Sequence, residues 1–245
     1  MKKLKDIYLR IRFKAACCLD NPWVFYPFEL KDKYRVIMRK SGLWRVSVNN
    51  KTQLVLDGFP SSANSYIERV LHQASDNKLK VASHFHSPIM ILKAMKYNIP
   101  VVVCIRNPLD ASVSACRRFG VFDVTGWLKI YLRFYQCIEP YADKLIIAHF
   151  DDVIKDVSNL LTVLTRQENF DQHLETNNLN LLIAERPNLG SFTEIKKQKE
   201  MEKDGAIQIR KKWDEQPDYD LLNKCNQLYK KILSVSKSGG VEYIQ

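Results

Sequence analysis

The sequence predicts an α/β fold of three layers, with a mostly parallel central sheet flanked by helices. Three observations predict it. Short apolar runs rich in Val, Ile and Leu recur near 53–59, 79–85, 101–106 and 145–150. Stretches of helical period fill the intervals, near 61–74, 88–97, 109–118, 122–140, 157–167, 176–185 and 218–234. Turn residues such as Pro60-Ser61-Ser62 and Asn107-Pro108 follow the carboxyl ends of the runs. Strands that alternate with helices join through crossovers, and crossovers make parallel neighbours.

The chain begins with a basic arm. Residues 1–40 hold eleven Lys/Arg against four Asp/Glu, so most of the net charge of +11 sits there. Lys2, Lys3, Lys5, Arg10, Arg12 and Lys14 interleave with Leu4, Ile7, Tyr8, Ile11, Ala15 and Cys18 at roughly helical spacing. A helix docked on the domain is the preferred reading, and peripheral contact with an anionic membrane is the alternative. The aromatic run WVFYPF at 23–28 is expected to pack beneath it. Residues 1–50 thus read as an arm and 51–245 as one α/β domain, for which 245 residues with 46% hydrophobic content supply enough core.

The expected compartment is cytoplasmic, with the membrane-peripheral reading kept for the arm. No cleavable leader and no run of 18 apolar residues is evident. Cysteines 17, 18, 104, 116, 137 and 225 lack CxxC spacing, which fits reduced thiols. The positive charge suits a phosphorylated nucleotide. Nucleic acid is disfavoured because the charge concentrates in the arm rather than near the motifs.

Two strand–turn–helix units carry the chemistry. In the first, QLVLDGF at 53–59 leads into Pro60-Ser61-Ser62-Ala63-Asn64-Ser65-Tyr66 and a helix. Small residues let backbone approach a ligand, and a helix N-terminus with nearby hydroxyls attracts anions. Walker A spacing is absent. In the second, VVVCI at 101–105 ends at Arg106 with Asn107-Pro108 opening a helix that carries Ser114. A guanidinium at the carboxyl end of a buried strand is placed and shaped for a phosphate.

Together these units resemble the sulfotransferase superfamily, whose donor is 3′-phosphoadenosine 5′-phosphosulfate (PAPS). Its donor loop, approximately P-K/R-S-G/A-T/N-T/S-W/Y/F, is similar to Pro60–Tyr66 as read above. Its second motif, R-N/D-P-x-D-x-x-x-S, is matched by Arg106, Asn107, Pro108, Asp110 and Ser114. His84-Phe85-His86-Ser87-Pro88 looks like the segment carrying the catalytic histidine, and His149-Phe150-Asp151-Asp152-Val153 resembles a Y-E-D-L stretch. The resemblance runs from about 54 to 156. It implies a P-loop-like fold and PAPS-dependent transfer to a hydroxyl, with no metal.

The same resemblance implies that Ser61, Ser62, Ala63, Asn64, Ser65 and Tyr66 hold the 5′-phosphosulfate and adenine, and that Arg106 and Ser114 hold the 3′-phosphate. His86 would be the base, with His84 assisting where the family has a cation. DGFPSSANSY and SHFHSP look more like microbial carbohydrate-type members than small-phenol enzymes, which implies a glycan acceptor. One departure stands out: Ser61 occupies the position of the usual Lys or Arg, and a hydroxyl cannot neutralise charge on a leaving oxygen. His84, Lys93 or Arg69 would have to fill that role, or the chain is a slow enzyme or a non-catalytic nucleotide- or nucleic-acid-binding relic. A phosphoryl-transferring kinase of related fold is the third reading.

The histidine spacing adds its own argument. Two residues apart on an extended strand end, His84 and His86 would face one side with Phe85 behind. An imidazole near neutral pKa can deprotonate an attacking hydroxyl. A zinc pair or a purely structural pair are the competing readings. Residues 186–217, with the KKQKEMEKDG run and Arg210-Lys211-Lys212, read as a long connection; the family's basic C-terminal loop makes Arg210–Lys212 a candidate nucleotide cover, against a solvated charge run.

Overall fold

The computed structural model describes residues 48–174 and 192–238. The N-terminal arm, the aromatic run at 23–28 and the helix expected near 176–185 lie outside them.

Among the described residues four strands form the sheet: β1 (Leu54–Gly58), β2 (Val81–Ser83), β3 (Val101–Ile105) and β4 (Ile146–His149). All pair in parallel, in the order β2-β1-β3-β4. Eight helices are described: α1 (Asn64–Ala74), α2 (Pro88–Lys96), α3 (Pro108–Phe119), α4 (Val124–Ile138), α5 (Phe150–Lys155), α6 (Ser158–Thr165), α7 (Phe192–Glu215) and α8 (Tyr219–Ser238). A 3₁₀ turn (Glu139–Lys144) joins α4 to β4.

Alternation along the strands divides the core into two layers, because successive side chains point to opposite sheet faces. Leu54, Leu56, Val102 and Cys104 pack with Ile67 and Leu71 of α1 and Leu160, Leu161 and Leu164 of α6. Val55, Val101, Val103 and Ile105 pack with α2, α3, α4 and α8 on the other face. The expected three-layer α/β architecture is therefore present. Among the described residues no helix is long and apolar enough to cross a membrane.

Two expectations need correction. The stretch read as a connection is largely helical, since α7 spans Phe192–Glu215 and buries Ile209 and Trp213 against the layer containing α3 and α4. A highly charged helix with few apolar positions gives weak periodicity, so the pattern hid it. Second, β2 stops at Ser83, and His84 and His86 adopt left-handed backbone (φ 61° and 51°) rather than extending the strand.

Candidate functional site

Order β2-β1-β3-β4 puts a topological switch between β1 and β3: the chain leaves β1 for β2 on one side and returns to β3 on the other. Crossover loops diverge there and leave a crevice at the carboxyl ends, where open α/β sheets bind ligands. Gly58 sits at its base. A Cβ on that residue would overlap the Cys104 carbonyl, so only glycine lets β1 and β3 approach this closely.

The loop after β1 forms one wall. Ser61 and Ala63 are left-handed (φ 67° and 73°) on either side of Ser62, which is not. Alternation of hand turns successive backbone N–H groups toward one concavity, the geometry of an anion nest. Ala63 is the N-cap of α1 and offers no side-chain cap, and the first turn holds no acidic residue. Ser62 and Asn64 are buried, Asn64 Nδ2 donating to the Phe59 carbonyl at 3.1 Å. Ser65 is exposed, and Tyr66 packs partly against the α1–α6 layer.

Arg106 closes the opposite wall. Its Nη1 donates to the Ser61 carbonyl at 3.1 Å, and its guanidinium lies 4.0 Å from the centroid of the Phe150 ring. Cation–π contact and the shared carbonyl fix the fork while leaving other donors on it. Burial draws the Arg106 pKa down; Asp151 opposes this, and Arg117 and Arg210 add to it. Tyr131 Oη donates to the Arg106 carbonyl at 2.8 Å, and Tyr135 Oη donates to the Cys104 carbonyl at 2.6 Å while accepting the Phe59 N–H at 3.3 Å. Two tyrosines one helical turn apart on α4 therefore tie down the ends of β1 and β3.

The loop after β2 supplies the histidines. Asp57 is fully buried, and its carboxyl accepts N–H bonds from Gly58 (2.9 Å), His86 (2.9 Å) and Ser87 (3.3 Å). Desolvation pushes its pKa up to about 7 against the pull of those three bonds and of His84. His86 Nδ1 lies 2.7 Å from the Gly58 carbonyl. A carbonyl only accepts, so Nδ1 carries the proton and the basic lone pair is on Nε2.

His84 is oriented from α1. Its Nε2 lies 2.7 Å from Glu68 Oε2, while Ser83 Oγ bonds Glu68 Oε1. Burial pushes the Glu68 pKa up, but the His84 and Ser83 bonds outweigh it and leave the carboxyl below its usual value. His84 Nδ1 is buried without a hydrogen-bond partner. The two imidazoles meet edge to face at 5.9 Å between centroids, so the rings approach even though the backbone is not a strand. Among the described residues no group of three His, Cys, Asp or Glu side chains could hold a metal ion.

Ser114 is half-buried on α3, between Asp110 and Arg117 on the stripe that α7 crosses. Arg210 of α7 ion-pairs with Asp110, which brings the basic C-terminal segment onto the second motif. Farther along the edge, His149 bridges Asp152 (Nδ1, 3.1 Å) and the Tyr229 hydroxyl (Nε2, 2.6 Å), anchoring β4 and Phe150 to α8.

The loop, the histidines, Arg106 and Ser114 are legible as site residues in the sequence; Asp57, Glu68, Tyr131, Tyr135 and the Phe150 partner of Arg106 are not. A carboxylate inside the apolar run LVLDG was the one available signal. No family model, no curated protein and no solved structure matches this chain.

Proposed function

We propose that the chain is a sulfotransferase that moves a sulfuryl group from PAPS to an acceptor hydroxyl, with a glycan as the acceptor. The observation that carries this reading is Arg106 closing on the left-handed Ser61–Ala63 loop beside a histidine whose Nδ1 proton is committed to the Gly58 carbonyl. The resemblance of the loop, the histidine segment and the Arg106–Ser114 motif to the superfamily supports it.

In this reading the backbone N–H groups of Ser62, Ala63, Asn64 and Ser65 hold the 5′-phosphosulfate, with Ser61 and Tyr66 flanking it. Arg106 and Ser114 hold the 3′-phosphate, and Arg210, now paired with Asp110, is within the same basic cluster. His86 Nε2 accepts the acceptor's hydroxyl proton as its oxygen bonds sulfur, and the sulfur–oxygen bond to the 5′-phosphate breaks to release 3′,5′-bisphosphoadenosine. His84, anchored at Nε2 by Glu68 and with its Nδ1 unpartnered, takes the assisting role at the place where Ser61 brings no charge. No metal enters this scheme.

The test is transfer of labelled sulfate from PAPS to a panel of glycan, phenol and peptide hydroxyls, with ATP as control donor. Incorporation into a glycan supports the reading. Phosphate transfer from ATP replaces it with a kinase, and bisphosphoadenosine binding with no transfer to any acceptor replaces it with a non-catalytic binding protein.

A further inference from the structure

A groove of about 830 Å³ runs between the C-terminal half of α7 and the turn joining α3 to α4. That size lies within the range of small-molecule sites, about 300–1,000 Å³. Its floor is apolar: Val124, Ile209 and Trp213 line it and are buried. On its rim Phe122 is 65% exposed, the most exposed large hydrophobic residue among those described.

Polar chemistry surrounds that floor. Arg117 and Lys212 line it with positive charge, and Gln208, Gln216 and Thr125 bring amides and a hydroxyl. Asp123, the one acid among the described lining residues, directs Oδ1 to the N-terminus of α4, accepting the Gly126 N–H at 2.8 Å. A hydrocarbon ligand would set the Lys212 ammonium and the two amides against apolar surface. A compact inorganic anion would leave the Phe122 ring and the indole floor without a partner. A pyranose chain has C–H faces for aromatic rings and hydroxyls for amides, and acidic groups on it match Arg117 and Lys212.

The groove also adjoins the crevice. Arg117 lies one turn beyond Ser114 on α3, and Arg210, next to groove-lining Ile209, pairs with Asp110 at the start of the same helix.

We infer that the groove between α7 and the α3–α4 turn is the acceptor subsite and takes an acidic oligosaccharide. This rests on the transferase reading for its role as acceptor site, and on the lining chemistry for the class of ligand. Phe122 stacks on a sugar face, Lys212 and Arg117 pair with carboxylates, and a hydroxyl at one end reaches the crevice.

The experiment titrates the intact chain with trigalacturonate, maltotriose and inorganic sulfate, followed by calorimetry and tryptophan fluorescence. Trigalacturonate is expected to bind saturably and at least about tenfold more tightly than maltotriose, with sulfate alone weak. Lys212→Glu and Phe122→Ala, both at exposed positions, should each weaken it about tenfold, and Trp213→Phe should remove the fluorescence change. Saturating bisphosphoadenosine should leave the sugar bound. No saturable sugar binding, binding indifferent to both rim variants, or displacement of the sugar by bisphosphoadenosine overturns the inference. Sugar binding that fails to accept sulfate from PAPS, while other hydroxyls accept it, overturns the acceptor role alone. Sugar binding with no transfer to any hydroxyl overturns the transferase reading and the acceptor role together, and leaves a sugar-binding groove.

Discussion

Arg106 Nη1 donates to the Ser61 carbonyl at 3.1 Å, so the residue that follows β3 is bonded to the turn that follows β1. That bond spans the switch point of the sheet. It orders the guanidinium before any anion arrives, and preorganisation lowers the entropy a ligand must give up on binding.

Arg106→Ala is expected to weaken 3′,5′-bisphosphoadenosine much more than AMP. A charge-assisted phosphate contact is worth about 1.5–3 kcal/mol, so affinity should fall roughly ten- to a hundredfold. Calorimetric titration with both nucleotides checks it. Equal affinity of the wild type for the two would remove the 3′-phosphate assignment.

His86→Ala should lower turnover at least about a hundredfold with nucleotide affinity nearly unchanged, since the ring acts on the acceptor proton. Glu68→Gln should lower turnover more mildly by loosening His84. Ser61→Lys should partly restore the Glu68→Gln variant by supplying charge through a different side chain. Steady-state kinetics of the four proteins separate these roles: if the Ser61→Lys change rescues nothing, His84 is not standing in for the missing cation.

Asp57 and Glu68 should give opposite pH signatures. Asp57 is raised from 3.8 to about 7, so between those values the folded state holds a proton that the unfolded chain has lost. Stability from this group is complete below about 4 and declines by a few kcal/mol as pH rises toward 7. Glu68 is lowered, so its contribution is present above the ordinary glutamate value of 4.5 and is lost as pH falls. Urea unfolding at pH 5 and pH 8 should show the wild type losing more stability with rising pH than Asp57→Asn. A wild type that gains relative to the variant would contradict the buried acid.

Gly58→Ala should destabilise by about 1–3 kcal/mol, because the new methyl meets the Cys104 carbonyl and the paired strand ends must part. Nucleotide affinity should fall with it. Denaturant midpoints read the first effect and calorimetry the second.

Arg210→Ala should change stability by less than about 1 kcal/mol, since its ion pair with Asp110 is solvent-exposed. Bisphosphoadenosine affinity should nonetheless drop severalfold as the basic cluster loses a member. An unchanged affinity would leave Arg210 as a surface pair only.

Much of the frame was legible in the chain. VVVCI and LVLDG are apolar enough to be strands buried on both faces, and the structure pairs them side by side. Asn107-Pro108 marks a helix start, and the Asn107 side chain caps it by accepting the Leu109 and Asp110 N–H groups. Strand composition and cap chemistry are local, so the sequence alone determined them along with the parallel alternation of elements.

Only the tertiary structure decided the rest. The charged helix containing Arg210 gains its meaning from Ile209 and Trp213 finding the α3–α4 layer, and no local period announces a partner about a hundred residues away. His84 and His86 come together through left-handed backbone, and Asp57, 29 residues upstream of His86, holds the second of these by accepting its N–H. A buried carboxylate acquires its pKa, and an imidazole its tautomer, from groups brought near by the fold. Those are long-range electrostatic and hydrogen-bonding effects, which depend on distances that a linear pattern does not contain.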